Sequence, residues 1–235
     1  MKKFELTSEF VINIFGEKLF RIKALVTFGN VNAGELGGFV EKEENLSNDG
    51  NAWVSGNAWV SGDATVSDNA TVSDNAKVSG DATVSDNAKV RGDATVSDNA
   101  KVSGDATVSG NAWVSGDATV SDNATVSGNA WVSDNATVSG DATVSDNAKV
   151  RGDATVSGDA DYATVKGFGR YYRNTTFFRC KDNIVRVACG CFYGDLNEFR
   201  AIVKKTHSDG KLAKEYLSIA DLMEFHFSDE EDVDK

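Results

Sequence analysis

The sequence lacks proline altogether, has only three cysteines and contains no long apolar run. The absence of proline excludes a Pro-rich linker or a collagen-like chain. Three cysteines in 235 residues cannot form a disulfide scaffold, and an odd number suits a reducing compartment. No apolar run reaches the ~18 residues that a membrane span requires. Glu5 and Glu9 stand where a signal peptide needs apolar residues, so we predict no secretory signal.

A repeat of six residues fills the middle of the chain. Residues 51–158 comprise 18 units without an insertion, each made of Asn or Asp, Ala, a variable residue, Val, Ser or Arg, and Gly or Asp. The variable residue is always Thr, Lys or Trp. A short fixed period indicates a solenoid, and helical repeats are excluded because six is not a multiple of the helical period of about 3.6.

Each unit predicts one short strand. In the triplet Ala–variable–Val the outer two side chains point one way and the middle one points the other, so Ala and Val line an interior. The Gly, Asp and Asn residues between strands tolerate turn conformations. Three strands per coil give a triangular section, so the 18 units predict about six coils. At the usual strand spacing the rod is about 29 Å long.

The repeat resembles the hexapeptide-repeat left-handed β-helix family, and the left hand is implied by that resemblance alone. The block GNVNAGELGGFVEKEENLS, followed by NAWVSG, resembles YdcK-like hexapeptide-repeat proteins of bacteria and phages. We therefore expect a mainly β fold. Its predicted parts are an N-terminal β-hairpin and cap in 1–50, the β-helix in 51–166, a ββαα module in 167–228 and an acidic tail in 229–235.

The flanking segments carry hairpin and helix signals. A first hairpin is predicted around Gly16-Glu17 and a second around Asp182-Asn183, while the triplet 163–165 predicts a last strand of the rod. Asp195, with Glu198 three residues later, predicts the start of a first helix. A second helix is predicted from about Lys211 to Phe225.

Arginines in the C-terminal module form a candidate anion site. A two-residue turn at Asp182-Asn183 places Arg179 directly opposite Arg186, and like charges so placed repel, so a negative group is expected nearby. Arg170 and Arg173 precede the hairpin and complete the candidate site, because guanidinium groups suit phosphate or carboxylate. The alternative is that Glu198 or the acidic tail neutralises the pair within the chain.

Three tryptophans form a second candidate surface. Counting every third unit places Trp59, Trp113 and Trp131 on one face of the rod, together with Lys77, Thr95 and Lys149. Exposed tryptophan is a common interface anchor, which predicts a partner face or self-association. The resemblance implies a homotrimer as the usual oligomer. The alternative is that the rings only cover lysine stems.

The resemblance also bears on catalysis. Acyltransferases of this fold use a histidine as general base, and residues 51–158 contain none. We therefore expect no enzyme and no cofactor or metal. Cys180, Cys189 and Cys191 favour small buried thiols over a metal site, since two ligands one residue apart are a weak signal.

Charge suggests how the parts divide the function. The repeat has 6 basic and 14 acidic residues, whereas residues 162–216 have 11 basic and 5 acidic residues. We expect a non-enzymatic structural or binding protein of phage or prophage type, in the host cytoplasm or the virion. The rod would act as a rigid spacer that presents the basic module to a protein or an anionic partner. Membrane contact is not expected, and the acidic rod disfavours nucleic-acid binding.

Four alternatives stay open. The first is a phage counter-defence protein that binds a host protein or an anionic signal molecule. The second is ice binding, because Thr repeats along one face in a near-regular array. The third is a degenerate hexapeptide acyltransferase, and the fourth is an acidic rod that imitates DNA.

Overall fold

The repeats form a rod of parallel strands in the computed structural model, which describes residues 2–13 and 16–228. Each of the 18 units contributes a strand of two residues, the variable residue and the Val, and these strands are β4 to β21 in chain order. Every strand pairs in parallel with the strand three units away, as in Thr107↔Thr125 and Val108↔Val126. The rod therefore has three parallel sheets as its walls, which confirms the predicted solenoid.

The three walls collect the units as the count of every third unit predicts. The first wall contains Trp53–Val54, Thr71–Val72, Lys89–Val90, Thr107–Val108, Thr125–Val126 and Thr143–Val144. The second wall contains Trp59–Val60, Lys77–Val78, Thr95–Val96, Trp113–Val114, Trp131–Val132 and Lys149–Val150. The third wall contains Thr65–Val66, Thr83–Val84, Lys101–Val102, Thr119–Val120, Thr137–Val138 and Thr155–Val156.

The rod interior consists of alanine and valine. All 18 repeat alanines and all 18 repeat valines are at most 1% exposed. Consecutive coils are joined by backbone hydrogen bonds along every wall, such as Thr107 N–H to the Ala124 carbonyl at 2.9 Å. Burial of apolar side chains and pairing of backbone groups thus act at the same positions in every coil.

The corners use Asp as a structural residue. The last residue of each unit from Gly56 to Gly152 has a positive φ and is either Gly or Asp. Where it is Asp, the carboxylate can accept a hydrogen bond from the next coil, as Asp74 Oδ2 does from Gly92 N–H at 3.0 Å. Asn side chains form ladders beside it, such as Asn111 Nδ2 to Asn129 Oδ1 at 3.1 Å. Much of the acidity of the rod therefore belongs to its corners.

The rod has about seven turns rather than the predicted six. Strand β3, Leu36–Val40, pairs in parallel with β5, Trp59–Val60, as Phe39↔Trp59 and Val40↔Val60. Leu46 forms a parallel bridge with Val66, and a 3₁₀ turn, Glu43–Asn45, lies between these two contacts. The predicted number of turns was one too low, because this first turn is built from residues outside the hexapeptide pattern.

An antiparallel hairpin closes the N-terminal end. Strands β1, Phe4–Ile12, and β2, Lys18–Ala24, pair with each other, and β2 pairs with β3. This confirms the predicted hairpin, although part of its turn, residues 14–15, lies outside the described residues. Trp53, predicted to face solvent, is instead 4% exposed because Phe28 covers it with an edge-on ring contact at 5.5 Å.

Up to residue 228, where the described part of the chain ends, the C-terminal module has four strands rather than the predicted two. The strands are β22 (Tyr162–Val165), β23 (Thr175–Arg179), β24 (Val185–Cys189) and β25 (Phe192–Asp195). They form one antiparallel sheet in the order β22-β23-β24-β25. The triplet 163–165 therefore pairs with the module and is not a last strand of the rod, which corrects that prediction. A second 3₁₀ turn, Asp159–Asp161, precedes β22.

The predicted register of the β23–β24 hairpin is wrong by one residue. Arg179 pairs with Val185 and Phe178 pairs with Arg186, so the two arginines do not lie opposite each other. The loop has three residues, because Cys180 N–H donates to the Ile184 carbonyl at 3.2 Å. Asn183 occupies the left-handed region at φ 61°, which a three-residue loop requires at its last position. A shift of one residue exchanges the two faces of a strand.

The sheet therefore packs in two directions. Phe178, Cys180 and Ala188 join the core of the rod, whereas Phe177 and Val187 pack against the helices. This differs from the predicted face, which grouped Phe178 and Cys180 with Val187 against the helices. The sheet acts as a lid on the last coil and as a floor for the helices.

Two helices complete the module. Helix α1 spans Leu196–His207 and begins with the predicted capping box of Asp195 and Glu198. Helix α2 spans Lys211–His226, close to its predicted bounds. Neither of these helices is long and apolar enough to cross a bilayer, and the described part of the chain contains no other α-helix. The acidic tail at 229–235 lies outside the described residues.

The narrow interior makes a size prediction at Ala124. Replacing this fully buried residue by Leu adds volume that the section cannot hold, so Ala124→Leu should destabilise the rod by about 1–3 kcal/mol. The control is Thr125→Lys, because the neighbouring residue points outward and Lys stands at this position in other units. Thermal melting followed by circular dichroism measures both variants. Equal melting temperatures would contradict the assigned interior.

Lys3 makes a prediction about pH. Its Nζ lies at the end of the rod, 2.9 Å from the Ala52 carbonyl, and the residue is 3% exposed. Burial lowers the pKa of Lys3 to about 8, against 10.5 for an unperturbed lysine, although Asp49 opposes the effect. Between these values the unfolded chain binds the extra proton, so the Lys3 contribution to stability should rise with pH and be lost as pH falls through about 8.

The Lys3→Met variant isolates this contribution. Urea unfolding of wild type and variant at pH 7 and pH 10 measures the difference in unfolding free energy at each pH. That difference should move in favour of the wild type at pH 10. A difference that stays constant would show that Lys3 keeps its ordinary pKa in the folded protein.

Candidate functional site

A basic cleft lies where the last coil of the rod meets the C-terminal module. Its volume is about 480 Å³. Its lining residues are Asn147, Lys149, Lys166, Tyr172, Arg173, Asn174, Gly190 and Cys191. Three of these side chains are cationic, and the lining within the described residues includes no carboxylate. Clefts of similar size at the other end of the rod contain Glu35, or Glu43 and Glu44.

The rod side of the cleft is held by direct contacts with the module. Lys149 lies on the outermost strand of the second wall, and its backbone N–H donates to Thr176 Oγ1 at 3.0 Å. Arg151 Nη2 donates to the Phe192 carbonyl at 2.9 Å, and Lys181 N–H donates to the Asp153 carbonyl at 3.1 Å. These bonds fix the position of the lysine relative to the opposite side of the cleft.

The module side is formed by Gly190 and Cys191 and by side chains of residues 166–174, which connect β22 to β23. Arg170 and Arg173 both lie over the exposed ring of Tyr171, with guanidinium carbons 5.5 and 4.8 Å from its centroid. Tyr172 is 71% exposed and has φ 52°, a backbone conformation that costs free energy in a bulky residue. The connection thus places Tyr172 and Arg173 in the lining of the cleft, next to the Arg170 and Tyr171 pair.

Asn174 contributes an acceptor without a partner. Its Oδ1 atom is buried and makes no hydrogen bond within residues 2–13 and 16–228. A buried amide oxygen is costly when it is left without a donor. The lining therefore combines three cations with an asparagine whose side-chain oxygen has no donor among the described residues.

The four predicted arginines have different surroundings. Arg186 makes two hydrogen bonds to Asp182, at 2.8 and 2.6 Å, and these bonds lower the pKa of Asp182 to about 2. Arg179 Nη2 donates to the Phe227 carbonyl at 2.9 Å, and its Nε lies 3.7 Å from Asp161. Glu198, the predicted neutraliser, is used in the helix cap.

The cleft therefore contains one of the predicted arginines and several residues that sequence reasoning missed. Arg173 lines it, and Arg170 stands next to it over the same tyrosine ring. Lys149, Lys166 and Asn174 were missed because they come from separate segments that only the docking of module on rod brings together. The one available signal was the density of Arg and Tyr at 170–173.

The outer face of the second wall, which carries Trp59, Trp113 and Trp131 and is called the tryptophan face below, extends to the same cleft. Trp113 and Trp131 stack at 5.4 Å with ring planes 10° apart, and they are 46% and 41% exposed. Lys149 Nζ lies 5.8 Å from the Trp131 ring centroid, and Lys77 lies over Trp59 in the same way. Lys149 therefore belongs both to this face and to the cleft.

The cysteines lie on the module. Cys180 is buried, and burial raises the pKa of its thiol. Cys189 accepts a hydrogen bond from Thr175, whereas Cys191 is exposed at the cleft. No group of three or more His, Cys, Asp or Glu side chains suited to a metal ion occurs in the described part of the chain.

Residues 166–174, which carry Arg170 and Arg173, include a glycine at which we expect any side chain to lower stability. Gly169 has φ 72°, and a Cβ there would lie 1.8 Å from Tyr216 Oη. Gly169→Ala should therefore displace residues 166–174 and lower stability by at least about 1–2 kcal/mol, the cost of the backbone conformation alone. Gly158→Ala is the control, because a Cβ at Gly158 meets nothing within 4 Å.

Thermal melting and the alkylation rate of the exposed Cys191 measure this change. The Gly169→Ala variant should melt earlier and its Cys191 should react at a different rate. If both variants melt and react alike, the connection is not anchored through Gly169.

Comparison with known families agrees with this architecture. The YdcK β-solenoid repeat matches residues 58–74 and four overlapping stretches, 100–116, 114–128, 118–134 and 130–146. All of these stretches lie within the rod, so the match does not extend to the cleft. No curated protein matches the chain. The repeat matches and the rod of parallel strands together show a repeat β-helix protein of the YdcK type.

Proposed function

We propose that this protein is a non-enzymatic binding protein that holds an anionic partner in the basic cleft. The rod acts as a rigid spacer and the C-terminal module supplies most of the binding surface. The observation that carries the proposal is the lining of the cleft, which includes Lys149, Lys166 and Arg173 and no carboxylate among the residues that the structure describes. The phage setting and the counter-defence role stay predictions from the resemblance.

Local charge favours an anion despite the net charge of −12. Corner carboxylates of the rod have structural partners, as Asp134 does when its Oδ2 accepts the Gly152 N–H at 3.0 Å. Charges separated by more than about 8–10 Å are largely screened at physiological salt, so the three cations dominate the potential inside the cleft. The acidic rod instead disfavours long polyanions that would extend along it.

The coil-to-coil hydrogen bonds support the role of a spacer. About seven turns at the usual strand spacing give a rod about 34 Å long. The hexapeptide coils contain only Ala and Val side chains inside, so their interior has no large side chain that could change its packing. The module is attached to the last coil by a backbone bridge between Ala154 and Cys180. Such a rod keeps the cleft at a constant distance and orientation from the N-terminal cap.

The tryptophan face is a second surface for contact. Trp113 and Trp131 remain partly exposed, which favours the predicted partner or oligomer face. Their mutual stacking and the lysines over Trp59 and Trp131 favour the alternative of rings that cover lysine stems. The cleft is the primary site, because it brings three cationic side chains together and its lining includes no carboxylate among the described residues.

Pyrophosphate tests the proposed anion site. Isothermal titration calorimetry at low salt should detect binding to the full chain, with affinity falling as salt increases. Lys166→Gln combined with Arg173→Gln should weaken it at least tenfold, because hydrogen bonds to charged groups contribute about 1.5–3 kcal/mol each.

The control removes two positive charges far from the cleft. Lys77→Gln combined with Lys89→Gln changes the net charge equally but lies on exposed positions of the rod. This control should bind pyrophosphate like the wild type. Equal loss in both double variants would assign binding to net charge, and no binding by the wild type would refute the proposal.

A further inference from the structure

We infer that the ligand class of the cleft is a nucleotide, that is, a phosphate ester that carries an aromatic base. The inference rests on the proposed function, which accounts for the phosphate, and adds to it the aromatic base. A site for inorganic anions needs cations alone, whereas this cleft is also lined by the exposed Tyr172 and by Asn174, whose oxygen has no donor among the described residues.

Tyr172 is the residue that indicates an aromatic ligand. Tyr172 lines the cleft, 71% of the residue is exposed, and its backbone lies in the left-handed region. A bulky residue in that region costs free energy, and such strain is concentrated at functional sites. Gly or Asn would fill the turn at lower cost, so the tyrosine ring itself is the feature that requires an explanation. Stacking on a base supplies one.

The cations suit the phosphates of the same ligand. Arg173 and Lys166 come from the connection that also carries Tyr172, whereas Lys149 faces them from the rod. The contact of Lys149 with the Trp131 ring holds this lysine at the edge of the wall. A ligand whose phosphates lie between the two sides would place its base near the exposed tyrosine.

Asn174 suits a donor on the base or the sugar. Its buried Oδ1 can only accept, and neither phosphate nor pyrophosphate offers a strong donor when fully ionised. Exocyclic amino groups and ribose hydroxyls are donors. A rotation of the Asn174 side chain that turned this oxygen toward the cleft would let it accept from a nucleotide, whereas a fully ionised inorganic anion has no donor to offer.

The experiment compares ADP, pyrophosphate and adenosine on the full chain by isothermal titration calorimetry. ADP should bind at least tenfold more tightly than pyrophosphate, because stacking of one base on an aromatic side chain supports a gain of that size. Adenosine should bind more weakly than ADP. Tyr172→Asn, which keeps a residue that tolerates positive φ, should abolish the advantage of ADP and leave pyrophosphate binding unchanged.

Two controls separate the ring from the fold and from the rod. Tyr172→Phe keeps the ring and should keep the advantage of ADP, while matched melting temperatures of the two variants show that the connection still folds. Trp113→Thr removes an exposed ring two coils away from Lys149 and should leave ADP binding unchanged.

The outcomes distinguish the two proposals. If pyrophosphate binds and ADP binds equally, or if Tyr172→Asn retains the advantage of ADP, the nucleotide inference is wrong and the anion site stands. If adenosine binds as tightly as ADP, the phosphate contacts are wrong. If none of the three binds, both the inference and the proposed function fail.

Discussion

The rod depends on an interior that accepts nothing larger than valine. Each of the six hexapeptide coils places three Ala and three Val residues inside, and consecutive coils meet at hydrogen-bond distance along all three walls. Such a section contains no space for a substrate or a buried polar group, so chemistry is confined to outward positions and to the two ends. The candidate site follows this rule, because it lies where the last coil meets the module and takes one side chain, Lys149, from a wall.

The ends of the rod pose the same physical problem and are closed in different ways. At the N-terminus, Asn45 donates to the Gly62 and Ala64 carbonyls and Lys3 donates to the Ala52 carbonyl, so side chains satisfy backbone groups that another coil would have paired. At the C-terminus an antiparallel sheet covers the coil with Phe178 and Ala188. Because this lid is connected through residues 166–174, its attachment also forms one side of the cleft.

Electrostatics divides along the same boundary. The corner carboxylates of the rod are acceptors for the amides of neighbouring coils, which gives its acidity a structural cause. In the module, Arg186 and Arg200 are paired with nearby acidic residues, whereas Arg170 and Arg173 contact a tyrosine ring. The arginines at the cleft thus differ from Arg186 and Arg200 in their partners, which are an aromatic ring in the first case and carboxylates in the second.

The sequence alone determined the solenoid, its three walls, the buried Ala and Val, the hairpin at the N-terminus and the two helices with their capping box. These follow from short periods and local signals, which act over a few residues. The first turn around Leu36–Val40, the register at Arg179 and Arg186, and the cleft were decided only by tertiary structure. Hairpin loops of two and of three residues differ little in local free energy. The loop length nevertheless decides which face of the strand meets the rod, because a shift of one residue exchanges the two faces. The burial of Phe178 against the last coil selects the loop of three residues. Lys149, Lys166 and Asn174 share no local pattern, so only the docking of module on rod could bring them together.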